Sequence, residues 1–132
     1  MNKSGYMNRQ RLLREVGIKI NEPDMENYDW DVLSKEATLS AEFIREFKDK
    51  LNWFRLSIYQ DFSEPSLREF KDYILWNNYF FRQKVSYQII KQFIIKTNFR
   101  ELSEFYTSHL NDTEKKEIEK LLNLKYMFAK KN

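Results

Sequence analysis

Apolar residues in this chain come in short clusters, each opened by a cap-type polar residue, and the clusters return at a fixed interval. Trp30, Trp53, Trp76 and Phe99 follow one another 23 residues apart. The residues before them are Asp29, Asn52, Leu75 and Asn98. Three of these are good helix N-caps, because a side-chain oxygen there accepts from the free N–H groups of the first turn. Apolar partners follow at helical spacing: Trp30/Leu33, Trp53/Leu56, Trp76/Tyr79/Phe80 and Phe99/Leu102. The pattern therefore predicts a short helix starting at each aromatic. Ten residues after each Trp stands a second cap, Ser40, Ser63 or Ser86. Leu39, Phe62 and Val85 precede these serines, and Ile44, Leu67 and Ile90 sit at the fourth helical position, an arrangement in which two apolar side chains close over the cap. A second, longer helix is predicted from each serine. These helices bury Phe43/Ile44/Phe47/Leu51, then Leu67/Phe70/Ile74, then Ile89/Ile90/Phe93/Ile94. Pro65 falls at the second position of its helix, where a missing N–H costs nothing.

One helix pair cannot bury its own apolar face, whereas stacked neighbours can. The fold expected is all-α: a small solenoid-like stack of helix-turn-helix repeats, with each leading aromatic as a wedge between successive pairs. The repeat domain spans 29–132, with units 30–52, 53–75 and 76–98 and a degenerate terminal unit 99–132. In that last unit Asn98 and Glu101 form a capping-box pattern, but the second cap does not return on time. Asn111 and Glu114 supply a fresh capping box for an atypical C-terminal capping helix carrying Ile118, Leu121, Leu122, Met127 and Phe128. Its polar face is Glu114, Lys115, Lys116, Glu117, Glu119 and Lys120. Residues 1–28 are expected to be an N-terminal basic arm and acidic loop. Within the arm, Asn8 is placed to cap a short helix with Leu12, Leu13 and Val16 on one face, ended by Gly17, and Ile18 to Ile20 alternate like an extended segment. Acidic residues dominate 21–36, with Pro23 making a loop.

The text Trp53-x-x-Leu56-Ser57-x-x-Gln60-x-Phe62-Ser63, with Leu39-Ser40-x-x-Phe43-Ile44-x-x-Phe47, resembles a tandem repeat of large double-stranded DNA viruses. That repeat reads W-x-x-I/L-S-x-x-Q-x-L-S-x-x-F-I, and the likeness covers about residues 29–98. Gln stands at 60 and 83, but Ala37 takes its place in the first unit. Ser66 stands where Phe43 does, and Tyr79-Phe80 replace the Leu-Ser of the third unit. The resemblance implies a viral, all-helical stack and no catalytic residue.

Composition narrows the chemistry. Aromatics make up 17% and Gly and Pro two residues each, which disfavours both disorder and a turn-rich β fold. With no Cys there is neither a disulfide nor a thiolate metal site, and His109 is the only imidazole available. Glu42, Glu46 and Asp49 alternate with Arg45, Lys48 and Lys50, and Glu69/Asp72 with Arg68/Lys71, as on a solvated helix face. A Gly-rich phosphate loop and the common hydrolase motifs are absent from the sequence. No catalytic residue, metal or cofactor is therefore expected, and the protein is expected not to be an enzyme. No apolar run approaches a membrane span, and the first residues lack a signal-peptide core. The location expected is intracellular (host cytoplasm) or the virion, not the secreted space, with no membrane association.

Net charge is +3, and its uneven distribution marks one region. From Tyr73 to Arg100 there are five cations (Arg82, Lys84, Lys91, Lys96, Arg100) and no acid. Aromatics and amides are interleaved, including Asn77, Asn78, Tyr79, Phe81, Gln83, Tyr87 and Gln88. The partner-binding residues expected are Arg82, Lys84, Tyr87, Lys91, Lys96 and Arg100. The function expected is a non-enzymatic protein–protein interaction module, either a host-interaction factor or a structural component of a virion. The alternative is nucleic-acid binding through residues 77–100, with cations on phosphates and rings on bases.

Overall fold

A computed structural model describes residues 3–17, 28–82 and 85–131. Among these the chain is all-helical: α1 (Lys3–Glu15), α2 (Trp30–Glu36), α3 (Ala41–Phe47), α4 (Trp53–Tyr59), α5 (Glu64–Glu69), α6 (Trp76–Arg82), α7 (Tyr87–Phe93), α8 (Glu104–Thr107) and α9 (Asp112–Lys131), with a 3-10 turn at Ile94–Lys96. The extended segment expected at 18–20 and the acidic loop up to residue 27 lie outside the described residues. The chain falls into two compact units, Met1–Phe70 and Lys71–Asn132.

Local rules place the helix starts. Asp29 accepts from the Val32 amide and Asn52 from the Arg55 amide, opening α2 and α4. Ser40, Ser63 and Ser86 accept from Phe43, Ser66 and Ile89, opening α3, α5 and α7. The apolar positions expected on α3, α5 and α7 are all buried. These second helices are not the longer ones, however: α3 and α7 match the seven residues of α2 and α4, and α5 has six. The reason in the first unit is non-local. The Lys48 carbonyl is taken by the Trp53 indole (2.8 Å), and the Asn52 amide is taken by Ser34 Oγ (2.9 Å). The pair that would continue α3 is thereby split between two other partners.

In the first unit α1 packs on α3 and α2 on α4. Leu12 and Leu13 of α1 are fully buried, and Arg9 and Arg11 reach Glu46 and Glu42 at 2.5 Å each. This helix starts at Lys3, so Asn8 is an interior residue, not its cap; Asn8 Oδ1 accepts from Arg11 instead. Past its end Gly17 takes φ 81°, the left-handed conformation that closes a helix and favours glycine. In the second unit α6 packs on α8, and α7 and the 3-10 turn pack on α9.

The leading aromatics have a definite geometry. Trp30 meets Phe47 (5.5 Å), Trp53 meets Phe70 (5.8 Å) and Trp76 stacks on Phe93 (4.3 Å), each ring lying against the end of the second helix of its own stretch. The indole N–H of Trp76 reaches the Lys71 carbonyl (2.8 Å), as that of Trp53 reaches Lys48. Of the three, Trp76 is buried, whereas Trp30 and Trp53 are half-buried.

No helix starts at Phe99. The Asn98 side chain that was to cap it accepts from Asn77 Nδ2 (2.5 Å), and its amide donates back to Asn77 Oδ1 (3.0 Å). Lys125 Nζ then takes the carbonyls of Thr97 and Phe99 (3.0 Å for the latter), and a helix from Phe99 would have paired the second of these internally. The capping box at Asn111 and Glu114 forms reciprocally, at 3.0 and 2.8 Å, and opens α9.

Candidate interaction surface

The sequence pointed to a basic, aromatic surface over residues 77–100, and its parts sit on three elements of the second unit. Tyr87 is the first residue of α7 and Lys91 is one turn on. Lys91 is exposed, with its ammonium 5.8 Å from the Tyr87 ring centroid, where the ring face attracts a cation. Gln88 and Gln92 are exposed on the same helix, and Ile95 stands 68% exposed in the 3-10 turn that follows.

Two further cations find partners inside the unit. Lys96 reaches the Asp72 carboxylate at 2.8 Å. That hydrogen bond and the ammonium charge hold the Asp72 carboxyl below its ordinary range. Arg100 lies over the Tyr126 ring at 5.3 Å, on the side of the unit formed by α9. It also borders a shallow cavity of about 350 Å³ with Glu101 and Asn123. Arg82 is the last residue of α6, and its side chain, like the whole of Lys84, lies outside the described residues. The structure thus joins Tyr87 and Lys91, and gives Lys96 and Arg100 other neighbours. Asn77 is occupied by Asn98, so that amide serves the fold.

Two groups of apolar side chains are exposed on this unit, and of these the sequence pattern marks Phe81 alone as part of the basic region. Phe81 and Phe105 meet edge to face at 4.9 Å and are 46% and 74% exposed. Phe81 also meets Phe99 at 5.2 Å, and the Phe99 ring stacks on Tyr106 at 4.8 Å. On α9, Met127 and Phe128 were expected to continue the buried face and instead point to solvent, as does Leu124. Helical periodicity carried this signal: Ile118, Leu122 and Lys125 form one face, and Leu124, Met127 and Phe128 lie on another. Burial acts on titrating groups here too. The Tyr106 hydroxyl is pushed up to about 12 by burial, and donates to the Glu101 carbonyl at 3.0 Å. Burial lowers the Lys125 ammonium from its usual value.

No family model, curated protein or solved structure matches this chain. Function must therefore be argued from the molecule. Among the described residues, no group of three or more His, Asp or Glu is placed to hold a metal ion. No helix there is long and apolar enough to cross a membrane.

Proposed function

We propose that this chain is a non-enzymatic helical-repeat protein whose units stack in a solenoid-like manner and present a protein-binding surface. The observation that supports it is how the recurring residues are employed. The serine and Asx caps hold amides, the indoles of Trp53 and Trp76 hold carbonyls, and Gln60 holds the 37–39 turn, all of them backbone work. Among the side chains that differ between units, Gln88 and Lys91 are exposed and Tyr87 is half-buried. Specificity belongs at such positions, since a shared scaffold cannot distinguish partners.

The binding face we assign is centred on Tyr87 and Lys91 of α7, and the sequence adds Arg82, Lys84, Lys96 and Arg100 as its further candidate residues. An acidic protein surface is the partner its charge suits. The resemblance to tandem repeats of large double-stranded DNA viruses makes the role a host-interaction factor or a virion component, in host cytoplasm or virion. The test is charge reversal: Lys91→Glu with Arg82→Glu and Lys84→Glu, in a variant that keeps its helical circular dichroism. A specific partner that co-purifies with the parent chain is expected to be lost. Retention of that partner by the folded variant overturns the assignment. Nucleic acid is the second reading, favoured by the absence of any acid between residues 73 and 100. It predicts binding to unrelated DNA or RNA that falls steeply with salt, and a blank mobility shift at low salt removes it.

The stacking part has its own test. Deleting residues 53–75 joins Asn52 to Trp76 and preserves every cap and spacing of the remaining units. A solenoid tolerates the loss of one unit, so the shortened chain is expected to stay helical and melt cooperatively. An unfolded product refutes interchangeable units.

A further inference from the structure

We infer that the solvent face of α9 is a second docking surface, built to receive an acidic amphipathic helix of a partner protein. It lies outside the α7 face and does not depend on it. The first half of α9 is held down by Ile118 and Leu122, both buried, and by Lys125, which is turned inward onto the Thr97 and Phe99 carbonyls. The outward side then carries Leu124, Met127 and Phe128 at 50%, 55% and 65% exposure. These three stand at i, i+3 and i+4, the spacing by which one helix anchors on another. A helix face whose only task were to meet water would carry polar residues there.

Charge selects the occupant. Lys120 and Lys116 lie on the same outward side, one and two turns before the apolar triplet, and the sequence continues past it with Lys130 and Lys131. Glu117, the acid on that side, pairs with Lys120 at 3.5 Å, so the side keeps a net positive charge through Lys116. Glu119 turns away to line a cavity with Arg100 and Leu102. The apolar triplet is therefore flanked by lysine and matches an apolar face flanked by carboxylates.

The chain already contains such a pairing. In the first unit the arginine-bearing α1 lies on α3, with Leu12 and Leu13 buried beneath it, as Phe43 and Phe47 are on α3, and Arg9 and Arg11 on Glu46 and Glu42. On α9 the basic half of that arrangement is present, and no acidic helix lies against its outward side among the described residues. An anionic membrane would meet the same charge, but its affinity scales with buried apolar area, and a triplet covering one turn offers little.

The test titrates the full chain with three probes. One is a synthetic acidic amphipathic peptide with leucine on one face and glutamate on the flanks. The second is its counterpart with lysine for glutamate, and the third is vesicles containing anionic lipid. Saturable binding of the acidic peptide is expected, weakened by salt and absent for the basic peptide. Leu124→Ser with Phe128→Ser is expected to weaken it roughly tenfold or more, as loss of central anchors does. Both side chains are exposed, so the thermal melt should not move. Ile95→Ser, an equally exposed change elsewhere, should leave binding intact. Lys116→Glu with Lys120→Glu should transfer preference to the basic peptide. No binding of the acidic peptide at low salt overturns the inference, as does binding indifferent to the serine substitutions. Tighter binding to vesicles, lost in the same variant, overturns it in favour of a lipid surface.

Discussion

Gln60 offers the sharpest test of how the units hold together. Its side chain is buried at 5% exposure and reaches backbone groups some twenty or more residues earlier. Oε1 accepts from the Leu39 amide at 3.1 Å, while Nε2 donates to the Ala37 carbonyl and, at 3.3 Å, to that of Ser34. Gln60→Leu keeps the bulk and leaves the Leu39 amide and the Ala37 carbonyl without this partner. A buried polar group left unsatisfied costs about 1–3 kcal/mol, so the variant should lose about 2–4 kcal/mol, non-additivity included. Gln60→Glu separates hydrogen bonding from packing. A carboxylate still accepts from the Leu39 amide, but its other oxygen faces two carbonyls and repels them. A protonated carboxyl restores the donor. Burial and the facing carbonyls both raise the folded pKa of the new group above its unfolded value. The variant should therefore approach the parent in stability below the unfolded glutamate pKa. Its deficit should grow as pH rises through the interval up to the folded pKa, and then level off. The assay is urea unfolding of both chains across acid to neutral pH, read as a difference in free energy. A pH-independent difference would refute the reasoning, because it would mean that Nε2 does not donate to the Ala37 carbonyl. A loss below about 0.5 kcal/mol for Gln60→Leu would do the same for the whole clasp.

The tryptophans should differ in cost despite their equivalent places in the sequence. Trp76→Ala removes a buried ring stacked on Phe93 and is expected to cost about 3–5 kcal/mol. Trp53→Ala should cost distinctly less in the same denaturant titration, since that residue is half-buried. Equal losses would contradict the packing described. Tyr106 predicts an alkaline effect of known sign. Its folded pKa of about 12 exceeds the ordinary 10.0, so its contribution is complete below the unfolded value and is lost as pH rises through the folded one. Tyr106→Phe should abolish that decline in stability between those two values, and phenolate absorbance of the parent should show one tyrosine ionising late.

What could be read from the sequence alone follows from the range over which its causes act. Asp29, Asn52, Ser40, Ser63 and Ser86 cap helices by reaching three residues along the chain, and the Asn111–Glu114 box closes over the same distance. Helix starts, the all-helical class and the buried positions of α3, α5 and α7 were legible for that reason. Tertiary structure decided whatever required a partner some twenty residues away. Asn98 had the credentials of a cap, yet Asn77 claims its side chain and Lys125 its neighbouring carbonyls, so Phe99 starts no helix. The function of Gln60 is invisible until the 37–39 turn lies against it. The basic surface was legible as a composition, but the pairing of Lys96 with Asp72 and the placing of Arg100 over Tyr126 depend on distant residues. Periodicity alone separated the two faces of α9, but only packing could say which one the protein had used. A cap is satisfied by its own turn, whereas a clasp, an ion pair or an exposed face exists only once the chain has folded back upon itself.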